Sequence, residues 1–171
     1  MWLVLGAYAA MLPLMAAEPP AAGAVVARML ANSALLGFQM SIEDAAAEDE
    51  ADKPLMACMK ALDSDALATG FLTLLTADMP VDDLNQLDEF LLSPAGKKYE
   101  ALGRLAAYAA KGRPPPYPKP VYTAAEMAQF ENLSKSAAVK EFLLGHWAQK
   151  PAVKALLREQ LTEKVRGCKE S

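Results

Sequence analysis

The 171-residue sequence has one histidine and two cysteines, too few for the four Cys or His ligands of a usual structural zinc site. General base work near pH 7 has a single natural candidate, His146, which is followed by Trp147 on an apolar face and reads as a structural residue. Aromatic side chains are scarce at 7%, and Val, Ile and Thr are thin beside Ala, Leu, Glu, Lys and Met, a balance that disfavours strands. No excess of positive charge exists either. A net charge of -4 gives no general attraction for phosphate backbones or anionic lipid, so neither nucleic acid nor stable membrane insertion of the mature chain is expected. The motifs G-x-S-x-G, H-E-x-x-H, G-x-x-x-x-G-K, G-x-G-x-x-G and C-x-x-C are all absent. The expectation is a protein that is not an enzyme, with no catalytic residue, cofactor or metal.

What the chain does have begins with an uncharged apolar run, Met1 to Ala17, about the length of a secretory h-region and followed by Glu18-Pro19-Pro20. Pro13 interrupts it and it falls short of the about 20 residues a bilayer span needs. A signal peptide over residues 1–17 is therefore expected, against a retained anchor or a buried N-terminal helix. Residues 18–171 are then one helical domain in the periplasm or secreted. In such a compartment Cys58 and Cys168 have only one intramolecular pairing, closing a loop worth up to about 4 to 5 kcal/mol in the chain-entropy model. Both cysteines also sit on apolar helical stripes, so buried free thiols are the alternative.

The mature chain reads as all-α, a bundle of about six to seven short helices. A first helix runs from Ala24 to Met40 and gives way to the acidic stretch Glu43 to Asp52, read as a solvated turn or the approach to a helix N-terminus, where negative charge is favourable; its spacing does not match a calcium loop. Pro54, Pro80, Pro94 and Pro151 each suit the first turn of a new helix, and Thr123-x-x-Glu126 is a capping box. Gly167 is a plausible stop for the last helix. Residues 112–121, beginning Gly-Arg-Pro-Pro-Pro, cannot be helical and read as a Pro-rich linker. Acidic pairs such as Asp82-Asp83 fall in a first helical turn, where interaction with the helix dipole explains them. Met29, Met40, Met56, Met59, Met79 and Met127 suit core filling, with an adaptable apolar groove as the alternative.

Shifting residues 83–99 by 43 lays them over residues 126–142, matching Ser93 with Ser136, Ala95 with Ala138 and Lys97 with Lys140 while keeping apolar positions in step. This suggests a degenerate helix-pair repeat. Within the first copy, Phe90, Ser93, Pro94, Gly96 and Lys97 resemble the F-x-x-S-P-x-G-x-K signature of an exported, all-helical bacterial family classified only as a domain of unknown function. The likeness covers about Met79 to Leu105. It departs where Leu91 replaces a frequent aromatic and where the second copy has Ala137 and Val139 in place of Pro and Gly. The resemblance implies a secreted or periplasmic helical domain and carries over no catalytic residue. The expected role is binding of another envelope protein; the alternative is a carrier of a small apolar ligand or lipid, with Phe71, Phe90, Phe130 or Phe142 lining its cavity.

Overall fold

The computed structural model describes residues 21–48 and 53–170, which form eight α-helices and one 3₁₀ turn, with no strand among the described residues. The helices are α1 Ala24–Glu48, α2 Lys53–Lys60, α3 Asp65–Asp78, α4 Val81–Leu92, α5 Pro94–Ala110, α6 Ala124–Leu133, α7 Ala137–Leu143 and α8 Pro151–Glu170. The turn, Trp147–Gln149, lies between α7 and α8. The segment expected to be a signal peptide, Met1 to Ala17, lies outside the described residues.

α1 is the central element. Its buried side chains Val26, Ala27, Ala31 and Leu35 meet Leu67, Phe71 and Leu75 of α3 and Leu84, Leu87 and Leu91 of α4 in one core. Buried residues three and four apart on each helix give the stripe that drives this packing. Over Ala24–Ala47 α1 is long and apolar enough to cross a membrane, with mean hydropathy 1.3; 28% of that stretch is buried inside the protein, against α3, α4, α2 and α5. Its first turn is closed from a distance. Gly23, at φ +86°, turns the chain into the helix, and the Gly23 and Val26 amides donate to the two carboxylate oxygens of Asp88 on α4 at 2.8 and 2.9 Å.

Two boundaries differ from the sequence expectation. α1 does not stop near Met40 but runs through the acids to Glu48. Carboxylates at a helix C-terminus oppose the dipole, and the cost is offset by cations from elsewhere. Arg113 donates to Glu43 at 2.7 Å, to Asp44 and to the Met40 carbonyl at 3.0 Å, while Lys60 stands 3.0 Å from Glu43. The Arg113 guanidinium, then Lys60, hold the Glu43 carboxyl below its usual value. Gly167 likewise lies inside α8 rather than ending it. Eight helices stand where six to seven short ones were expected, and α1 and α8 are long, with 25 and 20 residues. The breaks before α3 and α7 are made by side chains that satisfy the backbone locally: Asp63 accepts the Asp65 amide at 3.0 Å before α3, and Ser136 accepts the Val139 amide at 3.4 Å at the start of α7.

Trp147 fastens the second half of the chain to the core. It is buried between Phe71 and Phe142, with ring centroids 6.4 and 6.2 Å away, and its indole N–H donates to Asp78 at 3.0 Å. It does not continue α7 as its spacing suggested, because Gly145 at φ +77° turns the chain first. Gly70 lets α8 lie close on α3: a methyl there would stand 2.8 Å from the Leu156 side chain. After Gly112, at φ +64°, the Pro-rich segment runs beside α5, and the Tyr117 hydroxyl donates to the Ala101 carbonyl at 3.0 Å.

Candidate functional site

The residues carrying the family resemblance form the corner between α4 and α5. Ser93 alone separates the two helices: its amide donates to the Phe90 carbonyl at 2.9 Å and its hydroxyl accepts the Gly96 amide at 3.2 Å. Pro94 occupies the first turn of α5, where its missing amide costs nothing. Gly96 is buried with its backbone against the end of α4, so that a Cβ would collide with the Phe90 carbonyl and the Leu91 Cα. Glycine is required here by approach, not by φ.

Phe90 points into an aromatic cluster with Phe130 at 4.9 Å and Tyr99 at 6.1 Å, and Phe130 meets Tyr122 at 5.1 Å. Burial raises the Tyr99 phenol pKa, and burial followed by the Glu126 charge raises that of Tyr122. Counting one residue between glycine and lysine, the signature reaches Lys98 rather than Lys97. The geometry separates the two lysines as well. Lys98 donates to Glu126 at 2.7 Å and to the Val121 carbonyl at 2.9 Å, and lies 5.9 Å from the centre of the Tyr122 ring. It thereby joins α5 to the capped start of α6, and this hydrogen bond, then those from Thr123, hold the Glu126 carboxyl below its usual value. Lys97 is exposed, 3.9 Å from Glu100.

Beside the corner, a groove of about 450 Å³ opens between α1 and α5. Val25, Met29 and Leu92 supply apolar surface, and Arg28, Asn32, Lys97 and Glu100 supply polar groups. Leu92 is 64% exposed although it ends a helix whose other leucines are buried. Arg28 reaches Asp65 at 3.5 Å, and Glu100 is shared between Lys97 and Arg104. A second groove, about 430 Å³, lies between α5 and the Pro-rich segment, with Leu102, Leu105, Ala106 and Tyr117 among its walls.

The remaining candidates fall elsewhere. Cys58 and Cys168 are joined in a disulfide with Cα atoms 5.7 Å apart, linking α2 to the last turn of α8 and closing a sequence separation of 110. His146 is exposed in the turn after α7. Asp83 accepts the Ser136 hydroxyl at 2.7 Å, tying α4 to α7. Met40, Met59 and Met79 are buried, Met29 lines the groove and Met127 is 47% exposed. The four phenylalanines expected to line a cavity divide between the cluster around Phe90 and Phe130 and the pair, Phe71 and Phe142, on Trp147. Among the described residues no group of three or more His, Cys, Asp or Glu stands ready for a metal, and no charged or polar residue is fully buried. Asp88, Lys98 and Arg113 escaped the sequence reading. Only Lys98 had a signal, the spacing of the signature; the partners of the other two lie more than 60 residues away. No protein-family model, curated protein or solved structure matches the chain.

Proposed function

We propose that this is a non-enzymatic, exported helical protein that binds another envelope protein through the groove between α1 and α5. The carrying observation is Leu92, a leucine held out to solvent in an apolar groove whose lining has two cations, Arg28 and Lys97, against one acid, Glu100, on a protein whose overall charge is negative. The fitting partner is a helix or extended segment bearing apolar side chains flanked by acids. Support for a role outside catalysis comes from the charged groups with shifted pKa values, Glu43, Asp44, Arg113 and Glu126, each of which is explained by ion pairs and caps. The disulfide and the apolar N-terminal sequence are consistent with export. Membership of the family whose signature Phe90, Ser93, Pro94 and Gly96 resemble, and descent of residues 83–99 and 126–142 from one helix pair, belong to the same proposal.

The second reading, a carrier of a small apolar ligand, is favoured by the groove between α5 and the Pro-rich segment, whose walls are mostly apolar. Co-purification from envelope extract, with Leu92→Asp and Leu105→Asp as paired variants, separates the two. A stoichiometric protein lost only with Leu92→Asp supports the first reading. Lipid found by mass spectrometry and lost only with Leu105→Asp replaces it with the second.

A further inference from the structure

α2 is fastened to the protein in an unusual way. Met59 is its one fully buried side chain, and with Met40 and Ala46 of α1 it is buried outside the main core. Such a satellite cluster is a natural unit of local opening. The polar links nearby are modest: Gln39 donates to the Met59 carbonyl at 3.1 Å, and Lys60 pairs with Glu43 at the surface. α8 has the same asymmetry along its length. Val153 is buried and Leu156, Leu157 and Leu161 pack on the main core, whereas residues beyond Leu161 contribute nothing to it.

The two weakly held segments are joined by the Cys58–Cys168 bridge. Both cysteines are only half-buried and line a groove of about 390 Å³ together with Leu62, Gln160 and Lys164. The bridge is therefore approachable from solvent, and Met59 lies directly beneath it, its sulfur 3.7 Å from that of Cys168.

We propose that the Cys58–Cys168 disulfide is a reducible latch, opened by an external dithiol that enters this groove, whose opening releases α2 and the last turns of α8 and uncovers Met40, Ala46 and Met59 while the main core stays folded. A thiolate of the dithiol attacks one bridge sulfur, forming a mixed disulfide, and the other cysteine leaves as a thiolate that takes up a proton. The second thiol of the reductant then attacks the mixed disulfide, freeing the remaining cysteine. The protein gains two electrons and two protons, and the dithiol ends as its own disulfide. The inference is independent of the groove between α1 and α5.

The test is hydrogen exchange on the full chain, oxidised and after treatment with dithiothreitol in the absence of denaturant, with iodoacetamide capping and intact mass to count freed thiols. Both thiols should be captured, exchange in residues 53–60 and 162–170 should rise by about tenfold or more, and residues 67–75 and 84–91 should keep their protection. The Cys58→Ser, Cys168→Ser double variant should show the reduced pattern without reductant. A bridge that resists the dithiol until denaturant is added, reduction without a change in exchange, or loss of protection throughout 67–91 overturns the proposal. So does a double variant that fails to fold.

Discussion

Two corners of this protein start from the same local plan and end in different geometry. At the α4–α5 corner a serine caps the second helix, and at the α6–α7 corner Ser136 does the same, accepting the Val139 amide as Ser93 accepts that of Gly96. The first corner turns on Ser93 alone, the second takes Ser134, Lys135 and Ser136. The position 43 residues beyond Gly96 is Val139, whose side chain is fully buried. Where glycine stands, the new helix rests on the carbonyl of the old one; a valine there has to be led away, and the added residues do that. Packing follows the same contrast. Leu84 and Leu87 are 0% exposed, whereas their counterparts Met127 and Phe130 are exposed and half-buried. A shared cap sets where a helix begins, and one Cβ decides how tightly the chain turns to begin it.

The largest test of this contrast is Gly96→Ala. The methyl meets main-chain atoms that cannot rotate away, so the loss of stability should reach about 3 kcal/mol or more, at the upper end of overpacking costs. Gly70→Ala is the control, since the atoms it meets are the methyl ends of Leu156, which can turn aside; about 1 kcal/mol is expected. Urea denaturation midpoints of both variants check the pair, and equal losses would remove the distinction drawn between the corners. Next in size is Ser136→Ala, expected to cost about 2 kcal/mol because it loses the cap and leaves Asp83 without its hydroxyl donor, against about 1 kcal/mol for Ser93→Ala. A double-mutant cycle with Asp83→Ala should recover the difference as coupling.

Much of this fold was legible where the signal is local. Pro94 after Ser93, the Thr123–Glu126 capping box and the stripe of Leu67, Phe71 and Leu75 each specify structure within a few residues, and each element formed. The disulfide was expected from two cysteines and an apolar leader-like sequence, with Cys58 on the short helix after Pro54 and Cys168 on the last helix, and it joins those two elements, α2 and α8. What escaped was set by distant partners. The acids at the end of α1 suggest a break until Arg113 arrives 70 positions later to neutralise them, and no pattern around Gly23 announces a carboxylate from Asp88. The α1–α5 groove was illegible for the same reason. Val25 and Leu92 look like ordinary apolar residues on two separate helices until the α4–α5 corner places them side by side.

The smallest expected effect concerns how the two corners are joined. Lys98 of α5 and Glu126 at the start of α6 form the charged link, and Glu126 also closes the Thr123 capping box, so removing it outright would confuse charge with cap. Glu126→Gln separates them, since glutamine still accepts the Thr123 amide. The hydrogen bond from Lys98 holds the Glu126 carboxyl below the ordinary glutamate value in the folded protein. Its contribution is therefore complete above pH 4.5 and disappears as pH falls through the lower folded value, because the unfolded state takes up the proton first. In the Gln variant this part of the acid loss should vanish, making stability between pH 6 and 3 less steep than in the wild type, while the part due to Glu43 and Asp44 beside Arg113 persists. Lys98→Met should flatten the slope in the same direction by letting the Glu126 pKa return toward normal. Identical slopes in all three proteins would mean that the link contributes nothing and that the corners are held together by the aromatic contacts of Phe130 with Phe90 and Tyr99 and by the Ser136–Asp83 hydrogen bond.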